Sequence, residues 1–414
     1  MYSFMMDLTG NVGLWTITLL VCATGIVSVY GKYIAKSGKI HDYFEGDSKV
    51  HPVLYLLGGF YALSYTLSAT MGMDIPEIII GPATGGTIVP SIMVSVFWII
   101  LVGSVTMPFL LNYGLVDFIG SLLEPLMRPI WKVPGRAAVN ALASFLSSSS
   151  VGVLITNKLY RQGVYTEKEA VLVVTGFSAV SVGFAYMVVG TAGLGEQFIP
   201  VYFSALILSF IVSAFIARIP PFNKKRNIYL DGREQTKEDI ERAKAKGNAV
   251  KIGLERAAKK SLTAPNLISE MVVGLKDGFE VIPKVLSLLS CVGVSALIIA
   301  ETTPVFTIIG KAFEPLLNLL RVPNAELIAP SFPIGIAEMF LPVLLISNNI
   351  DIIAPGARYL VVAVSISQII FFSETIVVMM ASKLPLKLWE LVVVFFERTI
   401  IAIIFGSIFM HLFF

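Results

Sequence analysis

Two carboxylates stand where a carboxylate is expensive. Glu338 follows a Pro-x-x-Pro-x-Gly sequence made by Pro330, Pro333 and Gly335, and Glu374 lies inside the apolar run 360–381. An ionisable side chain among apolar neighbours carries a proton, coordinates a cation such as sodium, or hydrogen-bonds a polar or cationic group of a solute. The residues alone leave those three uses open. Gln368 lies six residues before Glu374, within two turns of one helix, and its amide brings donors and an acceptor that hydrocarbon cannot satisfy.

Hydroxyls extend the set. Ser365, Ser367 and Ser373 accompany Gln368, while Thr175, Ser178 and Ser181 occupy the corresponding helix of the first half. Any one of them can instead bond its own i−4 carbonyl or pack between helices. The run Ser147, Ser148, Ser149, Ser150 offers hydroxyls and half-helix N-terminal amides to a ligand, or else a close helix contact. Asn348 and Asn349 read as helix caps. The candidate solute-binding residues are therefore Ser147, Ser148, Ser149, Ser150, Ser178, Ser181, Glu338, Ser365, Gln368 and Glu374. His41, His51 and His411 do not cluster, no paired-cysteine motif occurs, and no phosphate-cradling Gly-Lys-Ser/Thr run is present, which argues against a metalloenzyme or an ATP-driven pump within this chain. No nucleophile–base set converges either, so no enzymatic activity and no cofactor are expected, beyond sodium or a proton as coupling ion.

The elements that must position these groups belong in a membrane. Hydrophobic residues make up 56% of the 414, charged ones 14%, and mean hydropathy is +0.80, more apolar surface than the core of a water-soluble domain can absorb. Segments such as Gly13–Tyr30, Ile88–Leu111, Gln197–Ala217 and Leu391–Phe413 are long enough to span a bilayer, and about eight spans are expected in all. A net charge of +3, gathered in loops, gives no reason to expect nucleic acid as a partner. Cys22 and Cys291 fall in apolar stretches and read as small hydrophobes.

Self-similarity organises the chain. Ile119-Gly120-Ser121-Leu122-Leu123-Glu124-Pro125-Leu126 is echoed about 190 residues later by Ile309-Gly310-Lys311-Ala312-Phe313-Glu314-Pro315-Leu316, and Lys132-Val133-Pro134 by Arg321-Val322-Pro323. Each copy leads into an apolar stretch interrupted by the serine run or by Pro330, Pro333 and Gly335. Such interruptions free backbone groups that lipid cannot satisfy, so both stretches read as re-entrant hairpins of two half-helices rather than as full spans. Hairpins also keep Arg128, Lys132, Arg136, Lys158, Arg161, Lys383, Lys387 and the basic segment 218–260 on the cytoplasmic side, as the positive-inside rule requires. Three spans then separate the copies, which makes the repeats inverted. Glu124 and Glu314 of the repeated Glu-Pro-Leu motif read as structural carboxylates at the interface.

The expected organisation is an all-α polytopic membrane protein with about eight transmembrane helices and two re-entrant hairpins. N-terminal helices occupy 1–87, a first repeat 88–218, a cytoplasmic basic loop 219–268 and a second repeat 269–414. Asp7 precedes the first apolar stretch and Lys32, Lys36 and Lys39 follow it, which predicts a retained helix with its N-terminus outside. Within the loop, 236–258 reads as one solvated helix begun by a Thr236–Asp239 cap.

The basic-Val-Pro joint, the serine hairpin, Leu159-Tyr160-Arg161-Gln162-Gly163-Val164-Tyr165-Thr166-Glu167-Lys168-Glu169-Ala170 and Phe332-Pro333-Ile334-Gly335-Ile336-Ala337-Glu338-Met339-Phe340-Leu341-Pro342 resemble the nucleoside-recognition, or Gate, domain membrane proteins of the YjiH type, from about Phe97 onward. The resemblance implies a fold akin to the concentrative nucleoside transporters and to the membrane part of bacterial ferrous-iron transporters: paired inverted hairpins flanked by broken helices. Ser147 to Ser150 stand where the former carry a Gly-Gln-Thr-Glu type motif, and the hairpin lacks the cysteine of the latter. The expected function is ion-coupled secondary transport of a small polar organic solute, a nucleoside or nucleobase, an amino acid or a dipeptide, across the inner or plasma membrane. The alternative is a non-transporting module that assists a partner. The partners expected are the lipid bilayer, the solute, and a second copy or a second Gate-domain membrane protein.

Overall fold

The computed structural model describes residues 2–82, 84–94, 96–98, 100–102, 104–105, 113–146, 149–243, 249–347, 349–382 and 384–414. Over these residues the chain is helical, with one isolated bridge between Ile228 and Glu234 in place of any strand. Helices satisfy their own backbone groups, which an apolar sequence surrounded by lipid requires. Five continuous stretches are long and apolar enough to cross a bilayer: Gly10–Ile34, His51–Met71, Gly195–Ile216, Leu267–Ile299 and Leu388–Phe413. That is fewer than the eight expected, because other apolar runs do not stay helical throughout and the segment 88–111 lies partly outside the described residues.

Fifteen helices carry the architecture: α1 (Tyr2–Val29), α2 (His51–Met71), α3 (Leu115–Trp131), α4 (Ala137–Leu146), α5 (Ser149–Arg161), α6 (Glu167–Gly176), α7 (Val182–Thr191), α8 (Phe198–Ile216), α9 (Ala249–Leu262), α10 (Leu267–Thr302), α11 (Glu314–Leu319), α12 (Leu341–Ser347), α13 (Pro355–Gln368), α14 (Val377–Ala381) and α15 (Leu388–Phe413). The pairs α6/α7 and α13/α14 are apolar passages broken near their middles, at 177–181 and at 369–371.

Polar contacts mark two ends of the molecule. At one end Arg128 Nε meets Glu124 at 3.0 Å, Arg128 Nη1 meets Glu169 at 2.7 Å, Gln235 reaches the same Glu169 oxygen at 3.0 Å, and Lys225 lies 2.8 Å from Glu390. At the other, Arg358 donates to the Ala192 carbonyl at 2.9 Å, Asn324 Oδ1 accepts from Ala354 N at 2.9 Å, and a ring nitrogen of His411 lies 2.9 Å from the Leu320 carbonyl. Glu390 and His411 both belong to α15. Their separation of 21 positions along the helix places the two ends about 32 Å apart at 1.5 Å per residue, close to the thickness of a hydrocarbon layer.

Further contacts bracket the two interrupted stretches. Gly135 N–H, just before α4, donates to Glu124, and Glu169, in the first turn of α6, meets Arg128, so the residues on either side of α4–α5 meet the same helix α3. The stretch 325–347 begins at Asn324 and is followed by Ile352 and Ala354, both bonded to the Asn324 side chain, so its two flanks lie together. The two repeat copies share local geometry as well. Lys132 (φ +58°) and Arg321 (φ +55°) both end a helical segment in the left-handed region, one residue before Val-Pro. Gly310 packs so tightly that a Cβ there would come within 2.7 Å of the Pro330 backbone.

The basic segment departs from the expected single solvated helix. Thr236 and Asp239 do form a reciprocal cap, whose hydrogen bonds from the Thr236 N–H and hydroxyl hold the Asp239 carboxyl below the usual carboxylate range. Residues Lys237–Ala243 are helical, 244–248 lie outside the described residues, and α9 is not solvated but lies against α3, with Arg256 bonded to Ser121 at 3.1 Å. Packing of α9 on α3, with Gly253 against Phe118, draws α9 out of solution. Of the expected caps, Asn348 lies outside the described residues and the exposed Asn349 side chain makes no capping bond among them.

The N-terminal helices are fastened to the second half. Asp47, buried between α1 and α2, accepts from Lys284 Nζ at 3.0 Å and from Tyr55 OH at 2.9 Å. Asp47→Ala strands both partners and is expected to cost about 3 kcal/mol, read as a lower apparent Tm, with solute affinity unchanged.

Candidate functional site

Both breaks are built by side chains and neighbours rather than by local propensity. After α6, Ser181 Oγ accepts from Phe184 N at 3.4 Å and caps α7. After α13, Ile369 adopts φ +62°, a conformation hostile to a β-branched residue, and it is held there by tertiary bonds. Thr375 Oγ1 donates to the Ile369 carbonyl and accepts from Phe371 N, both at 2.9 Å, and Phe372 N donates to the Ile336 carbonyl at 2.8 Å. The last bond ties the break to the stretch that carries Glu338.

Between the two breaks lies an internal cavity of about 30 Å³, room for about two water molecules. Ser149 from α5 and Ser181 from the first break face it, as do Glu338 and Glu374 from the second half; Val180, Phe184, Val285, Leu289, Met339 and Phe371 complete an apolar wall with Val96. Phe184 and Phe340 close it from the two halves, edge to face with centroids 6.0 Å apart. The Glu338 carboxylate is aimed by backbone donors, Met339 N at 2.6 Å and Phe340 N at 3.3 Å, ahead of α12. The arrangement can hold a polar group between two hydroxyls and two carboxylates inside an apolar shell.

The other candidates divide. Ser365 donates to the Met339 carbonyl, and Gln368 Nε2 to the Phe332 carbonyl and to Thr399, both at 2.9 Å, so these two brace the Glu338 segment from behind. Thr175 and Ser367 bond their own i−4 carbonyls at 2.7 Å. Ser147 and Ser148 lie outside the described residues, as do the side chains of Ser150 and Ser373. Ser178 belongs to a second polar cluster. Its hydroxyl, that of Ser144 and the Asn140 amide are buried with no hydrogen-bond partner among the described residues, and all three converge on Gly152, where a Cβ would come within 2.2 to 3.3 Å of them. Buried amide and hydroxyl oxygens of this kind are satisfied by a hard cation or by ordered water.

Some functional positions escaped the sequence reading. Arg398 in α15 is wholly buried: Nε donates to the Ser367 and Gln368 carbonyls at 3.0 and 2.9 Å, and Nη2 to the Ser367 carbonyl at 2.6 Å. These are the last carbonyls before the second break, so the guanidinium serves the orphan acceptors and the negative dipole end of α13. Its Nη1 also reaches Ser213 Oγ at 3.2 Å, and Ser213 donates to the Gly176 carbonyl at 2.9 Å, the last of α6. One hydroxyl thus touches both breaks. The signal was present, since Glu397-Arg398 is an ionic pair of residues inside an apolar run, a third case beside Glu338 and Glu374. Asn140 sits one residue before the stretch singled out at the serine hairpin.

A chain whose described residues are helical, with five stretches apolar enough to cross a bilayer and a broken helix in each half around one carboxylate-bearing cavity, is a multi-pass membrane protein. Residues 93–195 match the family model described as nucleoside recognition, Gate. An uncharacterised protein of Alkalihalophilus pseudofirmus is 36% identical over 370 residues, 87% of this chain and 78% of its own length. The chain belongs to the nucleoside-recognition (Gate) family of membrane proteins. The sporulation integral membrane protein YlbJ of Bacillus subtilis is 33% identical over 84 residues, 18% of this chain and 21% of that protein. A solved structure of a CNTnw double variant in an outward-facing state is 12% identical, covering 98% of each chain at a TM-score of 0.41.

Proposed function

We propose that this chain is an ion-coupled secondary transporter of a small polar organic solute, working by alternating access in the cell membrane. The observation that carries the reading is the convergence of Ser149 and Ser181 from the first half with Glu338 and Glu374 from the second on one internal cavity, each group on a helix end or a break. Discontinuous helices at a repeat interface are how such proteins present polar groups at mid-membrane depth. In this reading α4–α5 and the stretch 325–347 are re-entrant hairpins entering from opposite faces. Repeats 88–218 and 269–414 are inverted, 1–87 adds N-terminal helices, and 219–268 lies in the cytoplasm. The meeting of each stretch's own flanks supports the hairpins. The cargo is a nucleoside or nucleobase, or an amino acid or dipeptide, admitted when the halves part. The coupling ion is sodium among Asn140, Ser144 and Ser178, or a proton on Glu338 or Glu374.

A second reading, a module without transport that assists a second copy or another Gate-domain protein, is favoured by a cavity that holds only two waters in this state. A thermal-shift screen of the purified protein against nucleosides, nucleobases, amino acids and dipeptides, with and without sodium, separates them. A solute at 100 times its Kd stabilises the fold by about 2.7 kcal/mol. The expected result is a shift that needs sodium or low pH. Loss of the sodium requirement in Asn140→Ala and Ser178→Ala, with the solute shift itself kept, assigns the coupling ion to that cluster. No shift with any solute in a well-folded protein supports the module instead.

A further inference from the structure

Two joined grooves lie at the ion-paired end, where the chain leaves its apolar layer. The first, about 430 Å³, is walled by Lys224, Lys225, Arg226 and Lys387, with Glu167 opposite. The second, about 330 Å³, shares Lys224 and Lys225 and runs on past Trp389 and Val393 to Glu397. Their depth follows from the chain itself. The apolar stretch Gly195–Ile216 ends just before this loop, and Leu388–Phe413 begins immediately after Lys387. The basic groove therefore faces water, and the apolar one follows the first turns of α15 into the hydrocarbon.

The charges are not all spent within the protein. Lys225 pairs with Glu390 at 2.8 Å and Arg226 with Glu167 at 3.2 Å, whereas the exposed Lys224 and Lys387 side chains have no ion pair with the described residues. Trp389 is 55% exposed and Val393 40%, side by side along the apolar groove. A tryptophan at that depth settles at headgroup level. Two unspent ammonium groups above an apolar trough match one amphiphile, with an anionic head and an acyl chain. The reverse pose is closed to it, since Glu397 at the deep end would repel the anion.

We propose that these grooves form a binding site for an anionic phospholipid of the cytoplasmic leaflet, its phosphate between Lys224 and Lys387 and an acyl chain along Trp389 and Val393. Basic recesses between helices on the cytoplasmic face bind such headgroups by this chemistry. The grooves share no lining residue with the internal cavity, and the proposal does not depend on the transport reading.

Native mass spectrometry of the full chain, released from neutral detergent with phosphatidylglycerol or phosphatidylcholine, tests it. The expected result is preferential retention of phosphatidylglycerol, weakened about fivefold by Lys224→Gln or Lys387→Gln and about 25-fold by both. In vesicles, brominated phosphatidylglycerol should quench fluorescence in the wild type more than in Trp389→Phe, and brominated phosphatidylcholine should show no such difference. Both lysines are exposed and unpaired, so the variants should keep the wild-type Tm in phosphatidylcholine; a lowered Tm assigns the lysines to the fold and overturns the proposal. Equal retention of the two lipids, or retention indifferent to the double substitution, also overturns it. Inorganic phosphate protecting the protein as well as phosphatidylglycerol would reassign the lysines to a soluble anion and overturn it too.

Discussion

Replacing Arg398 with methionine is expected to lower the apparent Tm by roughly 5 °C and to abolish solute binding. Methionine fills much of the volume but donates nothing, so the Ser367 and Gln368 carbonyls lose the donors that close α13. Each orphaned buried acceptor costs about 1–3 kcal/mol, and roughly 1 °C accompanies each kcal/mol in a chain of 414 residues. The break would then heal into continuous helix or fray, and in either case Phe371 and Glu374 would leave the cavity. Arg398→Lys should recover only part of the loss, because a compact ammonium cannot serve two carbonyls and the Ser213 hydroxyl together as the planar fork does. Thermal unfolding in detergent, read alongside the solute shift, checks both halves of the expectation. An unchanged Tm would mean that water closes the helix end and the guanidinium is dispensable.

The second large effect belongs to the cavity carboxylates, which should separate by their roles. Glu374→Gln keeps the shape and removes the charge; solute affinity should fall roughly 10- to 150-fold, the worth of a hydrogen bond to a charged group, with a near-normal Tm. Glu338→Gln should lose affinity to a similar degree and stability as well, because its two oxygens receive the Met339 and Phe340 amides and a carboxamide offers only one acceptor oxygen. Titrating solute against both variants over pH 5–8 then tells coupling from contact. A variant whose affinity falls but keeps the wild-type pH profile has lost a contact, and one whose pH profile flattens has lost the coupling group.

The sequence made the continuous helices plain, because 20 or more apolar residues in a row admit few other fates. It also showed the Pro330, Pro333 and Gly335 stretch as a poor continuous helix, and the structure breaks that stretch into short helical turns, while Ser147 and Ser148 lie outside the described residues. The breaks inside α6/α7 and α13/α14 were harder. Nothing in Ile369-Ile370-Phe371 discourages a helix locally, and the left-handed turn at Ile369 exists because Thr375, the Ile336 carbonyl and Arg398 outweigh propensity through contacts made across the fold. Glu338 and Glu374 were visible by type, since a lone carboxylate in an apolar run stands out. Arg398 was equally visible and was passed over because the average hydropathy of α15 conceals one residue in 26. Asn140 was missed for a different reason: its significance depends on Ser144 and Ser178 meeting it at Gly152, a convergence set by packing.

The hydroxyl of Ser213 has a consequence for how the chain is made. It bonds Gly176 within the first half but meets Arg398 only 185 residues later in the chain. At about 5–20 residues per second a ribosome needs roughly 10–40 s to cover that distance. Throughout that interval the early helices sit in the bilayer with their central contact unfinished. Insertion of the last helix is thus the step that completes the first half, and a nascent chain halted before it should remain open to proteolysis at both breaks.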